Sequence, residues 1–267
     1  MAMVQTETCS KAFGGTVEPL GFDFQVVNSP TPYVVLRLHA QKTMISENGA
    51  LMKKTRAITS EMAFGNGEEQ SLGGKFMSAI KRAVAGEKFL TQHFKNTANI
   101  EQDLVIAAPH PGQIVAVDLH QCDQEIICQR SAFLAGPAGT DIVPHVKLKI
   151  GFNLFGREEF IMQKIKGDDV VFLNVGGGIY ADDLEEGEEI QIDTGCLVAC
   201  TKDVKIDLAR SGKISSMLLG DDGAVLVNCT GPGRVWMQPM PFARQVAVIS
   251  QEQARQGKPS AFSSEKR

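Results

Sequence analysis

The chain has 267 residues, of which 43% are hydrophobic and 22% charged, and its formal net charge is −4 at pH 7. Nucleic-acid-binding proteins carry a basic excess that neutralises phosphates, so no nucleic-acid partner is expected here. No stretch approaches the ~20 apolar residues of a membrane-spanning helix, and the first residues resemble neither a secretory nor a transit signal, so we expect a cytoplasmic protein.

The first predicted element is a strand, a tight turn and a second strand, and it occurs three times. It runs from Leu38 to Leu51, then from Leu119 to Phe133, and then from Leu184 to Leu197. The first and third copies share a leucine, a turn glycine and a second leucine at equal spacing. Glycine suits such a turn because it adopts backbone conformations that other residues resist.

Two further elements follow each copy in the same order. One is a polar turn that leads into an apolar strand ending on an amide, at Gly86–Gln92, Gly156–Gln163 and Gly220–Asn228. The other is a strand, a Pro/Gly turn and another strand, at Val105–Val115, Val171–Tyr180 and Val225–Trp236. Short segments rich in Val and Ile, separated by Gly, Pro and Asn, are typical of β-strands.

These repeats predict an all-β fold with a single β domain over residues 14–243. Its three tandem units, at about residues 22–88, 89–159 and 160–243, would surround a pseudo-threefold axis because each unit alone cannot bury its apolar face. The arrangement would be similar to a shortened double-stranded β-helix repeated three times, with at most a short helix near 75–85. A polar, mobile tail is expected over residues 244–267.

The first unit contains an insertion. The distance from Gly49 to Gly86 is 12 residues longer than the corresponding distances in the other two units. Apolar residues recur every four positions in the insertion, which is the spacing of one helical face, and basic residues border them. Such a segment either packs on the β core or docks on an anionic membrane surface or an acidic protein partner. We predict a contact surface over residues 73–90, with Lys75, Phe76, Ile80, Lys81, Arg82 and Lys88 as its contact residues.

A metal site is an alternative hypothesis. His39, His120 and Glu185 each follow the leucine that opens the first repeated element. Around a threefold axis, two histidines and one carboxylate would form a facial ligand set suited to iron or zinc. The alternative is that all three are solvated turn residues, and the prediction is that no cofactor is bound. The six cysteines lack the C-x-x-C spacing of zinc or redox sites, so they are expected to be free thiols.

The segments Gly73–Phe89, Leu184–Ala199 and Gly231–Gln238 carry a family resemblance. Together they resemble the bacterial family related to the mitochondrial biogenesis protein Aim (altered inheritance of mitochondria). The resemblance implies three repeats, each similar to the subunit of the trp RNA-binding attenuation protein, and it implies no catalytic residues. We therefore predict a non-catalytic binding or scaffold protein, and the formation of a homo-oligomer is compatible with this prediction. A metal-dependent enzyme and, by fold analogy, an RNA-binding protein are the alternatives.

Overall fold

The computed structural model describes residues 21–64, 90–149, 159–208 and 225–255. Within these ranges the chain forms 19 β-strands and one α-helix, which confirms the all-β prediction. The strands are β1 (Phe22–Val27), β2 (Tyr33–Leu38), β3 (Thr43–Glu47), β4 (Leu51–Lys54), β5 (Ile58–Phe64), β6 (Leu90–Asn96), β7 (Gln102–Ala107), β8 (Gln113–Asp118), β9 (Glu125–Gln129), β10 (Phe133–Pro137), β11 (Asp141–Lys149), β12 (Glu159–Lys166), β13 (Val170–Val175), β14 (Tyr180–Leu184), β15 (Glu189–Asp193), β16 (Leu197–Thr201), β17 (Lys205–Leu208), β18 (Leu226–Thr230) and β19 (Gly233–Met237). The helix is α1 (Phe242–Arg255), and short 3₁₀ helices cover Leu119–Cys122 and Arg130–Ala132.

The strands form four antiparallel sheets. Their strand orders are β1-β2-β7-β4, β5-β6-β3-β10-β13-β8, β11-β12-β9-β16-β19-β14 and β15-β18-β17. The second sheet combines strands from all three predicted units and the third sheet from two, and the ladders β3–β10 and β9–β16 lie within these sheets. Successive units are therefore joined by backbone hydrogen bonds as well as by side-chain packing.

The same irregularity recurs in three strand pairs. In β4–β7, β10–β13 and β16–β19 the register shifts after the first residue of the earlier strand. The extra residue is in each case the second of its strand, namely Met52, Leu134 and Val198. A β-bulge of this kind bends its strand and increases the local twist. The threefold relation between the units stays a prediction, and these matching bulges agree with it.

The core consists of three clusters of buried side chains. The first cluster includes Leu36 and Phe94, the middle cluster includes Val117 and Phe133, and the third cluster includes Val227. Shared strands contribute to two clusters from their alternate faces. In β9, for example, Ile126 packs in the middle cluster and its neighbour Ile127 in the third. Burial on both faces explains why these strands are continuous apolar runs rather than alternating ones.

Residues 242–255 form α1, so the prediction of a mobile tail from residue 244 was wrong for this part of the chain. Pro241 suits the start of a helix because proline needs no backbone donor there. The helix also docks: the Arg244 side chain donates to the Pro239 carbonyl at 3.3 Å and to Asp193 Oδ2 at 3.3 Å. The short helix predicted near 75–85 lies outside the described residues.

The five described cysteines have free thiols, whereas Cys9 lies outside the described ranges. Four of them are buried, namely Cys122, Cys128, Cys200 and Cys229. In the described part of the chain, no helix combines the length and the apolar character that a bilayer crossing requires.

Candidate functional site

A cavity of about 200 Å³ lies where the ends of several strands converge on the start of α1. Its wall combines parts of the chain that are distant in sequence: Glu47, His110, Gln129, Asn174, Gln238 and Phe242. Glu47 and Gln129 are the last residues of β3 and β9, and Asn174 stands next to the end of β13. The strand pairing that joins the units therefore also assembles this cavity.

Two glutamines in the wall are fully engaged in holding neighbouring backbone. Gln129 Nε2 donates to the Thr194 carbonyl, and Gln129 Oε1 accepts from Ser131 Oγ at 3.1 Å. Gln238 Oε1 accepts from the Gly176 amide at 2.7 Å, while its Nε2 donates to the Gly195 carbonyl at 2.8 Å. These side chains satisfy backbone groups of the surrounding turns, which indicates a structural role.

Asn174 has a different environment. It is 2% exposed, and its Nδ2 lies 2.7 Å from His110 Nε2. The His110 ring stacks on Phe242, with ring centroids 5.3 Å apart and an interplanar angle of 11°. Asn174 Oδ1 is buried and has no hydrogen-bond partner among the described residues. A buried acceptor left unsatisfied costs about 1–3 kcal/mol, so a partner is expected.

Glu47 provides the second unsatisfied oxygen. Its Oε2 is buried and likewise lacks a hydrogen-bond partner in the described part of the chain. Burial raises the pKa of the Glu47 carboxyl to about 7, and the nearby positive charge of Arg130 opposes part of that rise. A carboxyl group with this pKa exchanges its proton near neutral pH.

Two residues of the cavity wall therefore each carry an unpaired acceptor oxygen, one on a carboxyl group and one on an amide, and the same wall contains aromatic rings. Buried polar groups in native proteins almost always have partners, so unpaired acceptors in a cavity mark a place for a molecule that donates hydrogen bonds. The Ser131 hydroxyl is held by Gln129, and His110 contacts Asn174 and Phe242.

The structure does not bring the predicted metal ligands together. His39 Nε2 lies 3.7 Å from Asp23 Oδ2 and 4.0 Å from Glu101 Oε1, and among the described residues these three form the one group close enough to share an ion. Glu185 is exposed in the turn after β14, where its amide donates to Glu188 Oε2 at 2.8 Å.

His120 lies in a second, more open groove of about 370 Å³. The charged groups there are paired with one another. Arg234 Nε donates to Asp183 Oδ1 at 2.6 Å, and this hydrogen bond lowers the pKa of the Asp183 carboxyl. Lys202 Nζ lies 3.1 Å from Asp123 Oδ2. Gln121 Oε1, also in this groove, is a buried acceptor without a hydrogen-bond partner among the described residues.

The predicted contact residues Lys75, Phe76, Ile80, Lys81, Arg82 and Lys88 lie outside the described residues. The sequence interpretation missed the cavity residues Glu47, His110 and Asn174, although all three stand in the repeated elements. A signal was available at Glu47, because a carboxylate at the end of the apolar strand β3 is an unusual neighbour for a core. Its convergence with Asn174, 127 positions later, depends on strand pairing that no local pattern reveals.

Comparison with known proteins identifies the family and the fold of the chain. A family model described as mitochondrial biogenesis AIM24 matches residues 24–240. The crystal structure of protein SPYM3_0169 from Streptococcus pyogenes is similar, with a TM-score of 0.68 and 22% sequence identity over 86% of this chain and 99% of that one. At this identity the likeness shows the fold alone. Among curated proteins, no sequence matches at a significant level. Because the family model covers most of the sequence, the chain belongs to the AIM24 mitochondrial biogenesis family.

Proposed function

We propose that the protein is a non-catalytic binding protein that holds a small molecule in the cavity between β3, β13 and α1. The observation that carries the proposal is that two residues in the wall of one cavity, Glu47 and Asn174, each have a buried acceptor oxygen without a partner among the described residues. Leaving both unpaired would destabilise the fold, and a bound donor removes that cost.

The chemistry of the wall favours a small primary ammonium compound. An ammonium group carries three donors and forms charge-assisted hydrogen bonds with a carboxylate. The stacked rings of His110 and Phe242 suit the organic part of such a ligand, and an aromatic face attracts a cation. The volume of about 200 Å³ corresponds to roughly seven water molecules at about 30 Å³ each, so the ligand is small.

The test uses thermal unfolding of the full chain with a series of linear alkylammonium chlorides, from ethyl to hexyl, and with the matching alcohols. The ammonium compounds should raise the melting temperature of the wild type, whereas the alcohols and calcium chloride should not. Glu47→Gln should abolish the shift, and Glu61→Gln, which changes an exposed carboxylate, should retain it. Equal shifts in wild type and Glu47→Gln, or no shift with any ammonium compound, would refute the proposal.

Binding should also depend on pH. A positively charged ligand favours the ionised form of Glu47, whose pKa is raised to about 7. The affinity for the ammonium compound is therefore expected to increase as the pH rises from 6 to 8. Binding is also expected to release protons from the protein. Calorimetry in two buffers of different ionisation enthalpy would measure that release.

A second contact surface, over residues 73–90, remains a proposal that rests on the sequence. Its basic and apolar residues suit an anionic membrane surface or an acidic protein partner. The double substitution Lys81→Glu and Arg82→Glu should abolish binding to anionic vesicles, because each interfacial basic residue contributes about 1 kcal/mol. The melting temperature should barely change, since exposed charges affect stability by less than about 0.5 kcal/mol. A lowered melting temperature with unchanged vesicle binding would indicate that the segment covers the core.

We also propose that the three units are equivalent, each similar to the subunit of the trp RNA-binding attenuation protein. The matching bulges in β4–β7, β10–β13 and β16–β19 support this relation. An experimental structure in which the three units fail to superpose would contradict it. A closed pseudo-threefold ring of units would place β4 beside β15 of the same chain, and among the described strands neither has that neighbour.

A further inference from the structure

The ladders that join successive units follow one rule. In β3–β10 the third residue of β10, Ala135, pairs with the fourth residue of β3, Ser46. In β9–β16 the third residue of β16, Ala199, again pairs with the fourth residue of the earlier strand, Cys128. Both ladders are antiparallel, and both begin directly after a bulge.

The strand β4 corresponds to β10 and β16 in the other units, and β15 corresponds to β3 and β9. β4 pairs with β7 through the same bulge as β10 with β13, and β15 pairs with β18 as β3 pairs with β6. Among the described strands, however, neither has a neighbour on its other side. An open strand edge presents unpaired backbone donors and acceptors to another chain.

The bulge residues show what is missing at these edges. Leu134 is the bulge residue of β10 and packs in the first core cluster, and Val198 is that of β16 and packs in the middle cluster. Each thus inserts into the core of the preceding unit, and both are 0% exposed. Met52, the bulge residue of β4, is 61% exposed because β4 has no preceding unit beside it.

The two open edges carry opposite charges. Lys53 and Arg56 are exposed at or just after β4, whereas Glu186 and Glu189 are exposed just before or within β15. If β4 paired with β15 by the rule of the other two ladders, Lys53 would stand opposite Ile192 and Arg56 opposite Glu189. The opposite charges of Arg56 and Glu189 at matching positions favour this pairing.

We propose that the protein assembles head to tail with copies of itself, with β4 of one copy pairing with β15 of the next. Met52 inserts into the third core cluster of the neighbouring copy, as Leu134 and Val198 insert into the first and middle clusters within one chain. The interface is heterologous, so the assembly closes into a ring or extends as a filament.

Light scattering coupled to size-exclusion chromatography tests the assembly directly. The wild type should give a molar mass that is a multiple of the 28.9 kDa chain and that falls on dilution or at high salt. Met52→Ser should shift the mass to that of one chain. Met62→Ser, which alters another exposed methionine on the outer strand β5, should leave the assembly intact.

A charge exchange tests which edges meet. The variant Lys53→Glu with Arg56→Glu has two acidic edges, and the variant Glu186→Lys with Glu189→Lys has two basic edges. Each should behave as a single chain by itself, and an equimolar mixture should assemble because each acidic edge then meets a basic one. Circular dichroism of each variant verifies that it is folded.

A wild type that remains a single chain over the concentration series would overturn the proposal, as would a Met52→Ser variant that assembles as well as Met62→Ser. A mixture of the charge variants that stays dissociated would do the same. None of these residues lines the cavity beside α1, so the outcome is independent of ligand binding.

Discussion

The carboxyl group of Glu47 both destabilises the folded chain and provides an acceptor for the proposed ligand. Its buried Oε2 lacks a partner, which destabilises the folded chain, and the same oxygen gives the cavity its acceptor. Residues of this kind are typical of binding sites, where a local cost is retained because the ligand removes it. Gln129 occupies the equivalent last position of β9 and is fully paired, so the strand end itself does not require an unsatisfied group.

The titration of Glu47 should be visible in stability. A carboxyl group whose pKa rises from 4.5 in the unfolded chain to about 7 in the folded one binds its proton more tightly when folded. Its stabilising contribution is therefore present at low pH and is lost as the pH rises from about 4.5 through about 7. Glu47→Gln imitates the protonated group, and above pH 7 its free energy of unfolding should exceed that of the wild type by on the order of 2 kcal/mol.

Urea unfolding at pH 4.5 and pH 8 would measure this difference. The two proteins should be nearly equal at the lower pH and diverge at the higher. Glu61→Gln, at an exposed position, serves as the control and should follow the wild type at both values. A Glu47→Gln variant that is less stable than the wild type at pH 8 would show that the carboxylate has a partner in the native protein.

The buried thiols give a second prediction for single residues. Burial raises the pKa of the Cys128 thiol to about 12 and that of Cys229 to about 11, and it raises the pKa of Cys200 further. Because the thiolate is the reactive form, these three cysteines should not react with Ellman's reagent in the native protein at about pH 8. After denaturation, all six cysteines of the chain should titrate as free thiols. Recovery of four or fewer from reduced material would indicate a disulfide or a blocked group.

At the scale of elements, the turn after β13 positions the segment that leads into α1. A Cβ atom at residue 176 would lie 2.0 Å from the Met240 carbonyl oxygen, whereas one at residue 178 would have no atom within 4 Å. Only glycine permits the close approach of these two backbones. The segment before α1 in turn supplies Pro241 and Phe242 to the cavity wall.

Gly176→Ala should therefore lower the free energy of unfolding by about 1–3 kcal/mol, the usual effect of overpacking. Gly178→Ala is the matched control and should change it by less than about 0.5 kcal/mol. Chemical denaturation of both variants would measure the difference. Similar values for the two would mean that the approach of Met240 to the turn contributes little to stability.

At the scale of the whole molecule, the shared strands couple the core clusters. Leu134 lies in β10 but packs with residues of the first unit, and Trp236 lies in β19 but packs in the middle cluster. The units are therefore expected to unfold together rather than one after another. Trp236 is the only tryptophan of the chain, so its fluorescence reports on the middle cluster alone.

Leu134→Ala should lower the free energy of unfolding by about 2–5 kcal/mol because it opens a cavity in a packed core. The transitions followed by Trp236 fluorescence and by far-ultraviolet circular dichroism should still coincide. Ile100→Ala, at a site that is 69% exposed, should have little effect. Two separated transitions in Leu134→Ala would show that the first unit unfolds independently of the middle cluster.

The sequence by itself determined the all-β class, the family and the free thiols. Those properties follow from local patterns: short runs rich in Val and Ile between Gly and Pro turns, motifs in family order, and cysteine spacing. It did not reveal α1, because the tail is polar and its order depends on contacts such as that of Arg244 with Asp193. The contact surface over residues 73–90 stays a prediction.

Only the tertiary structure decided where the candidate site lies and which of the candidate metal-binding side chains lie close together. Glu47 and Asn174 meet because β10 pairs with both β3 and β13, and that pairing depends on long-range hydrogen bonds rather than on either local sequence. For the same reason, His39 contacts Asp23 and Glu101 instead of His120 and Glu185. Equal positions in a repeat share a local conformation, but the neighbours of each copy differ, and chemistry at a site depends on those neighbours.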